Sequence, residues 1–254
     1  MIRRETRLAN GTPGWALISQ QEHARVSARL LPLLQNLPGR VDDRRQFVEA
    51  VAHHDDGWPK YDARPELDER GRPRSFTEMR LETSLAIWSE SIDAAERIGP
   101  LAAWLVASHF HALLSGGQSQ HKEPAAQVWL DTIDARCSDW LAAWGGAREV
   151  ADEALGLLQM LDAASLWICC GCPAKGDQMM PRPEPFDSLV LGLECTGPGQ
   201  ITASGAGRSA VSLQLSARGA EVDATRYDSP ESLQSAATPR SWQWAVAPPT
   251  PRAD

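Results

Sequence analysis

The chain lacks the marks of several large protein classes. Its longest apolar runs are short and interrupted, and the start, Met1-Ile2-Arg3-Arg4-Glu5, has no apolar core of the kind a secretion signal carries. No basic block offsets the acidic balance: 25 Lys and Arg stand against 33 Asp and Glu, a net charge of -8. Nucleic acid and anionic membranes are therefore not expected partners. The five cysteines are an odd count, with Cys169 and Cys170 adjacent and Cys172 close behind, a poor disulfide framework. Reduced thiols and a cytoplasmic location are the expectation. Gly14-Trp15-Ala16 and Gly116-Gly117 match neither the Walker nor the dinucleotide pattern, and no serine sits in a Gly-x-Ser-x-Gly elbow. No internal repeat is visible, and no histidine lies beyond residue 172.

What is present suits a soluble globular protein: 254 residues, 43% hydrophobic and 23% charged, enough for one large core or two modest ones. Trp15-Ala16-Leu17-Ile18 is β-prone and follows a Gly-Pro turn. Ser19 and Glu22 have capping-box spacing, and His23, Val26, Leu30 and Leu34 then share a helix face that Pro32 interrupts. Asp42 is placed to cap the next helix. There Phe47, Val48 and Val51 set an apolar face that runs on into His54 and Asp55, with Gly57 expected at C′ and Pro59 as the stop. A turn-rich connection to about Thr77 carries Lys60, Arg64 and Arg72.

Three more apolar stripes predict helices over 82–98, from Pro100 to a break expected to be a mobile loop at 115–121, and from Pro124 to Gly145. On the second of these His109 lies in line with Leu101 and Leu105, whereas His111 points elsewhere. A last long helix from Arg148 sets Asp162 in the stripe Ala151, Leu155, Leu158, Leu166. After Cys172 the character changes: ten of the eighteen prolines follow, with short alternating runs at 189–193, 211–215 and 241–246. The expected fold is mainly α, a helical bundle with a short N-terminal strand and a small β-rich C-terminal appendage. Residues 1–172 form the helical domain, 173–247 the appendage and 248–254 a disordered tail. Cysteines at a helix end, as here, are more often buried small hydrophobes than ligands.

Four inward-facing polar residues, His23, His54, Asp55 and Asp162, thus come from three helices. Buried charge is costly unless paired or bound to metal, and a mixed nitrogen and oxygen set suits a divalent ion, Mn, Fe, Co, Ni, Zn or Mg, better than thiol-rich sites do. The order His, His-Asp, Asp resembles the HD-domain superfamily of metal-dependent phosphohydrolases. That resemblance implies an all-helical HD-like domain with His23 as the first ligand, His54-Asp55 as the pair and Asp162 as the late aspartate. Gln20-Gln21-Glu22-His23-Ala24, His54-Asp55-Asp56-Gly57-Trp58, Gly71-Arg72-Pro73, Ser108-His109 and Pro185-Phe186 together resemble more closely an uncharacterised bacterial family, domain-of-unknown-function family thirty-eight ninety-one. The superfamily's usual lysine after His-Asp-x-Gly is Trp58 here, and the histidines of its two-metal members are only partly matched, by His109 with His111 or His121.

The expectation is a metal-dependent phosphohydrolase acting on a small phosphorylated metabolite or nucleotide. Asp55 would bind metal and orient water, His109 or His53 would serve the leaving oxygen, and Lys60, Arg64 and Arg72 would hold phosphate. An HD-like di-iron oxygenase and a non-catalytic ligand-binding or regulatory protein are the alternatives. The expected partner is a small-molecule substrate, and self-association into a homo-oligomer stays open.

Overall fold

Local signals set the helices. In the computed structural model, which describes residues 1–116, 123–172, 191–205 and 211–248, Ser19 Oγ accepts the Glu22 N–H at 3.1 Å and starts α1 (Gln20–Leu30). Pro32 turns the chain into one 3-10 turn, Leu31–Leu33. In α2 (Val41–His53) the cap is supplied by Asp43 rather than Asp42: its Oδ2 accepts the Arg40 N–H at 2.8 Å, while Asp42 lies one residue inside the helix and takes the Gln46 amide. A short α3 (Pro59–Ala63) and a Leu67–Pro73 bridge give regular structure to the turn-rich connection. Then come α4 (Leu81–Glu96), α5 (Pro100–Gly116), α6 (Pro124–Trp144) and α7 (Arg148–Cys169). Gly145 ends α6 in the left-handed region at φ +65°, where a side chain would be strained. Two helices were not expected: α3, which starts at the proline read as a helix stop, and α8 (Pro230–Ala236), capped by Ser229 with Pro230 in its first turn.

The β structure corrects the expected fold class. Of the described residues 54% are helical and 21% lie in strands, and those strands form one six-stranded mixed sheet, not a small appendage to a mainly α bundle. β1 (Ile2–Arg7), β2 (Pro13–Ile18), β3 (Gly192–Gly197), β4 (Gln200–Ser204), β5 (Leu213–Asp223) and β6 (Thr238–Ala247) lie in the order β1-β2-β5-β6-β4-β3. Only β4 and β6 run parallel. β1 and β2 make a hairpin with Ile2 opposite Ile18, and the other edge of β2 pairs with β5, Trp15 opposite Val222 and Leu17 opposite Ala220. The N-terminal strand is thus joined to the C-terminal strands across some two hundred residues. β1 could not be read locally because Ile2-Arg3-Arg4-Glu5-Thr6-Arg7 carries no apolar alternation. Its side chains find partners only in the fold: Arg3 pairs with Glu78 at 2.8 Å, and Arg4 lies over the Trp242 ring.

Helices and sheet share one core, in which Ile2, Ile18, Val26, Phe47, Leu105, Leu161, Leu215 and Val246 are all buried. The sheet also holds α1 directly, since the Arg218 N–H on β5 donates to Glu22 Oε2 at 2.8 Å. Among the described residues no helix is long and apolar enough to cross a membrane. Residues 115 and 116, expected to open a loop at 115–121, still belong to α5, and 117–121, the Pro185-Phe186 pair, residues 189 and 190 and nearly all of the expected tail lie outside the described residues.

Candidate metal centre

Four helices deliver the site. The first turn of α1 is fixed on three sides: by Ser19, by Glu22 reaching Arg218, and by Asp62 of α3, whose Oδ2 accepts the Gln20 N–H at 2.8 Å. That turn carries His23. α2 ends just before His54 and Asp55, and its seat against α5 is set by Gln46, whose Oε1 accepts the Leu101 N–H at 2.9 Å. Gly57 does not take the left-handed C′ conformation expected of it. Its role is close approach: a Cβ there would run into the Ile87 carbonyl oxygen and Ser91 of α4, and its N–H donates to Ser91 Oγ at 2.9 Å. His109 comes from α5 and Asp162 from α7.

His23, His54, Asp55, His109 and Asp162 are all buried. His23 Nε2 stands 3.0 Å from Asp55 Oδ2 and 3.3 Å from Asp162 Oδ1. His54 Nε2 stands 3.3 Å from Asp162 Oδ1, 3.5 Å from Asp55 Oδ2 and 3.3 Å from His23 Nε2. Ligand atoms each about 2.0–2.2 Å from one ion lie about 3–3.5 Å apart at neighbouring coordination positions, so all five separations have the spacing of a coordination shell. Donor chemistry agrees. The His54 Nδ1–H donates to the Val51 carbonyl oxygen at 2.9 Å, and since a carbonyl can only accept, the neutral ring keeps its Nε2 lone pair facing the carboxylates. Two imidazole nitrogens and two carboxylate oxygens facing one another fit a divalent cation.

The electrostatics carry the same mark. Burial disfavours the His54 imidazolium, yet Asp55 and Asp162 override it and push the ring up to about 9. Burial also works to raise Asp162, but the hydrogen bond from His54 and the surrounding imidazoles hold its carboxyl well below the usual carboxylate range. His109 is lowered, chiefly by burial. Its Nε2 is 3.9 Å from Asp162 Oδ2, its ring is edge-on to His54, and its Nδ1 has no partner among the described residues.

The remaining expected site residues are not drawn into this cluster. His53 is half exposed and pairs with Asp56 at 2.9 Å and Glu49 at 3.4 Å. Lys60 pairs with Glu90, Arg64 with Glu231 at 3.1 Å, and Arg72 with Asp68 at 2.6 Å. A groove of about 440 Å³ lined by Gln21, Asp56, Glu90, Asp93, Ala94 and Arg97 opens within two residues of both His23 and Asp55. Two buried serines that touch the cluster escaped the sequence reading, Ser27 and Ser165. A same-face search would have found them, because Ser27 lies four residues after His23 and Ser165 three after Asp162.

The sequence profile of a family described as protein of unknown function (DUF3891) matches residues 1–214. The chain belongs to that family. The match spans both parts of the molecule, from the N-terminal hairpin through the four site helices into β5. No curated protein and no solved structure matches the chain. DUF3891 membership therefore covers every residue of the cluster without assigning it a reaction.

Proposed function

We propose that this DUF3891 protein is a cytoplasmic, metal-dependent phosphohydrolase acting on a small phosphorylated metabolite or nucleotide. The observation that carries the reading is the convergence of His23, His54, Asp55 and Asp162, with neighbouring ligand atoms 3.0–3.5 Å apart. The His, His-Asp, Asp order that resembles HD-domain phosphohydrolases supports it. A divalent ion held there supplies a Lewis acid for a phosphoryl oxygen and lowers the pKa of a bound water.

The chain's own groups do the rest. Asp55 and Asp162 would balance the cation's charge, and the Asp162 carboxylate, 3.9 Å from His109 Nε2, favours that ring's charged form against the burial that disfavours it. His109 is the proton-handling group, because its Nδ1 is buried with no partner among the described residues whereas His53 is half exposed and already bonded to Asp56. Among the described residues the potential ligands gather at one place, His23, His54 and Asp55 with Asp162 Oδ1 3.3 Å from both histidines, and a single group favours one ion over the two an oxygenase would need.

The test is elemental analysis of protein purified without chelator, beside a His54→Ala/Asp55→Ala double variant checked by circular dichroism, followed by a phosphate-release screen. Near one equivalent of a divalent metal in the parent, lost in a folded variant, together with phosphate release from a nucleotide or phosphoester is the expected result. Metal without release from any compound, with each ion tried, overturns the enzyme. A second reading would then lead, a non-catalytic metal-dependent binding protein, which the engagement of Lys60, Arg64 and Arg72 by carboxylates already favours.

A further inference from the structure

The tautomer of His54 is fixed by a carbonyl, but that of His23 is not. Its Nδ1 lies 2.6 Å from Ser165 Oγ, and a hydroxyl can either accept or donate. Ser165 is itself surrounded: Ser27 Oγ is 2.7 Å away, and the Asp162 carbonyl oxygen, three residues back on α7, is 2.9 Å away. Both serines are fully buried, so no water competes for these bonds.

Counting protons leaves two arrangements. In one, the Ser165 O–H donates to His23 Nδ1, and His23 carries its proton on Nε2, pointing at Asp55 Oδ2. In the other, the Ser165 O–H turns to the Asp162 carbonyl oxygen, accepts the His23 Nδ1–H, and leaves the Nε2 lone pair facing the cluster. Ser27 Oγ also lies 3.3 Å from the His23 carbonyl oxygen, but its 2.7 Å contact with Ser165 is the shorter, and both arrangements have Ser27 donating to Ser165. Only the second allows His23 to hold a cation.

We propose that Ser165, with Ser27 bonded to its second lone pair, is the positioning residue that lets His23 change from the metal-free to the metal-binding tautomer. A rotation of one hydroxyl accompanies the change, with no movement of the imidazole. The proposal rests on the metal-centre reading above and adds to it the device by which a buried histidine frees Nε2 for a cation while staying neutral: one proton leaves Nε2 toward the facing Asp55 carboxylate and one is taken up on Nδ1. Asp162 is coupled in as well: its carboxylate faces the cluster while its carbonyl oxygen takes the Ser165 proton.

The experiment uses Zn²⁺ as a diamagnetic probe, with calorimetric titration and histidine-selective ¹⁵N NMR of the parent, Ser165→Ala, Ser165→Thr and Ser27→Ala proteins. In the Zn²⁺-loaded parent both His23 and His54 should carry their proton on Nδ1. Ser165→Ala should weaken Zn²⁺ binding about 10- to 100-fold, the usual effect of removing a hydrogen-bond partner behind a metal-bound histidine, while the His54 tautomer stays unchanged. Ser165→Thr, which keeps the hydroxyl, should restore most of the affinity, and Ser27→Ala should weaken it less than Ser165→Ala does. Should Ser165→Ala prove too unstable to titrate, Ser27→Ala and Ser165→Thr still decide. Parent-like affinity in Ser165→Ala with His23 still protonated on Nδ1 overturns the proposal while leaving the metal centre intact. So does parent-like affinity in Ser27→Ala together with a lost Ser165→Thr, since a hydroxyl would then be irrelevant. A parent that binds no Zn²⁺ or other divalent ion overturns the metal centre itself.

Discussion

Helix α7 and the turn that follows it carry two groups of metal-ligand residue types, and they have opposite characters. Asp162 meets three imidazoles and stays ionised in spite of its burial, because partners of opposite charge and a hydrogen bond compensate it. Cys169 and Cys172, at the other end, are also buried, but there burial dominates, with Arg4 only partly opposing: it pushes the Cys172 thiol up to about 12 and raises Cys169 as well. Both belong to the hydrophobic core. Burial alone makes a thiol an inert hydrophobe, whereas burial with converging, mutually oriented charges makes a ligand set.

The sharpest way to break this comparison is to delete a ligand from each region. Asp162→Ala should abolish stoichiometric metal in protein purified without chelator, whereas Cys169→Ala should leave metal content unchanged; metal analysis that shows loss in the cysteine variant would reverse the assignment. The next effect is on stability. In Gly57→Ala the new methyl would collide with the Ile87 carbonyl oxygen and push the His54-Asp55 corner off α4, at a cost of about 3 kcal/mol, read by chemical denaturation, and with weaker metal binding. Thiol alkylation at Cys170, which is exposed, should proceed as in the parent.

The two regions should also respond oppositely to pH. Acid protonates imidazole and carboxylate ligands, so metal occupancy falls as pH falls. The thiols act at the other end: their folded-state pKa values lie above the ordinary value of 9, so the unfolded chain loses protons first and stability declines as pH climbs above 9. Cys172→Ala should flatten that alkaline decline in a denaturation series, and an unchanged slope would show that the burial of this thiol carries no pH-dependent stability. The smallest effect is expected at the surface cations. Lys60→Ala should leave stability nearly unchanged, as for exposed ion pairs generally, and leave metal content alone; a large loss of phosphate release in that variant would instead show that Lys60 leaves Glu90 to meet substrate.

Much of the metal centre was legible in the chain because helices are periodic. The phase of Phe47 and Val51 carries on to His54, that of Leu158 to Asp162 and that of Leu105 to His109, and all three side chains are buried as that phase requires. The same phase logic extends to Ser27 and Ser165, but a serine on an apolar face is too ordinary to attract notice without its neighbour across the helix pair. Gly57 was read as a helix terminator because its neighbours look like one. The need for glycine there is set by α4, thirty residues on.

Sequence by itself determined the long helices and the inward direction of the five cluster residues, together with some of their start and stop signals, such as Ser19 and Gly145 but not Asp42 or Gly57, because each depends on hydrogen bonds and side-chain phase within a few residues. Tertiary structure decided the sheet. β1 has no apolar pattern of its own, and β2 takes part through β5, whose residues lie about two hundred positions away; strand hydrogen bonds are made between segments, so neither strand states its partner. The fold also decided which charges converge. His23, His54 and Asp162 meet because three helices pack on one core, while Lys60, Arg64 and Arg72 are each met by a carboxylate that only the folded chain brings within reach.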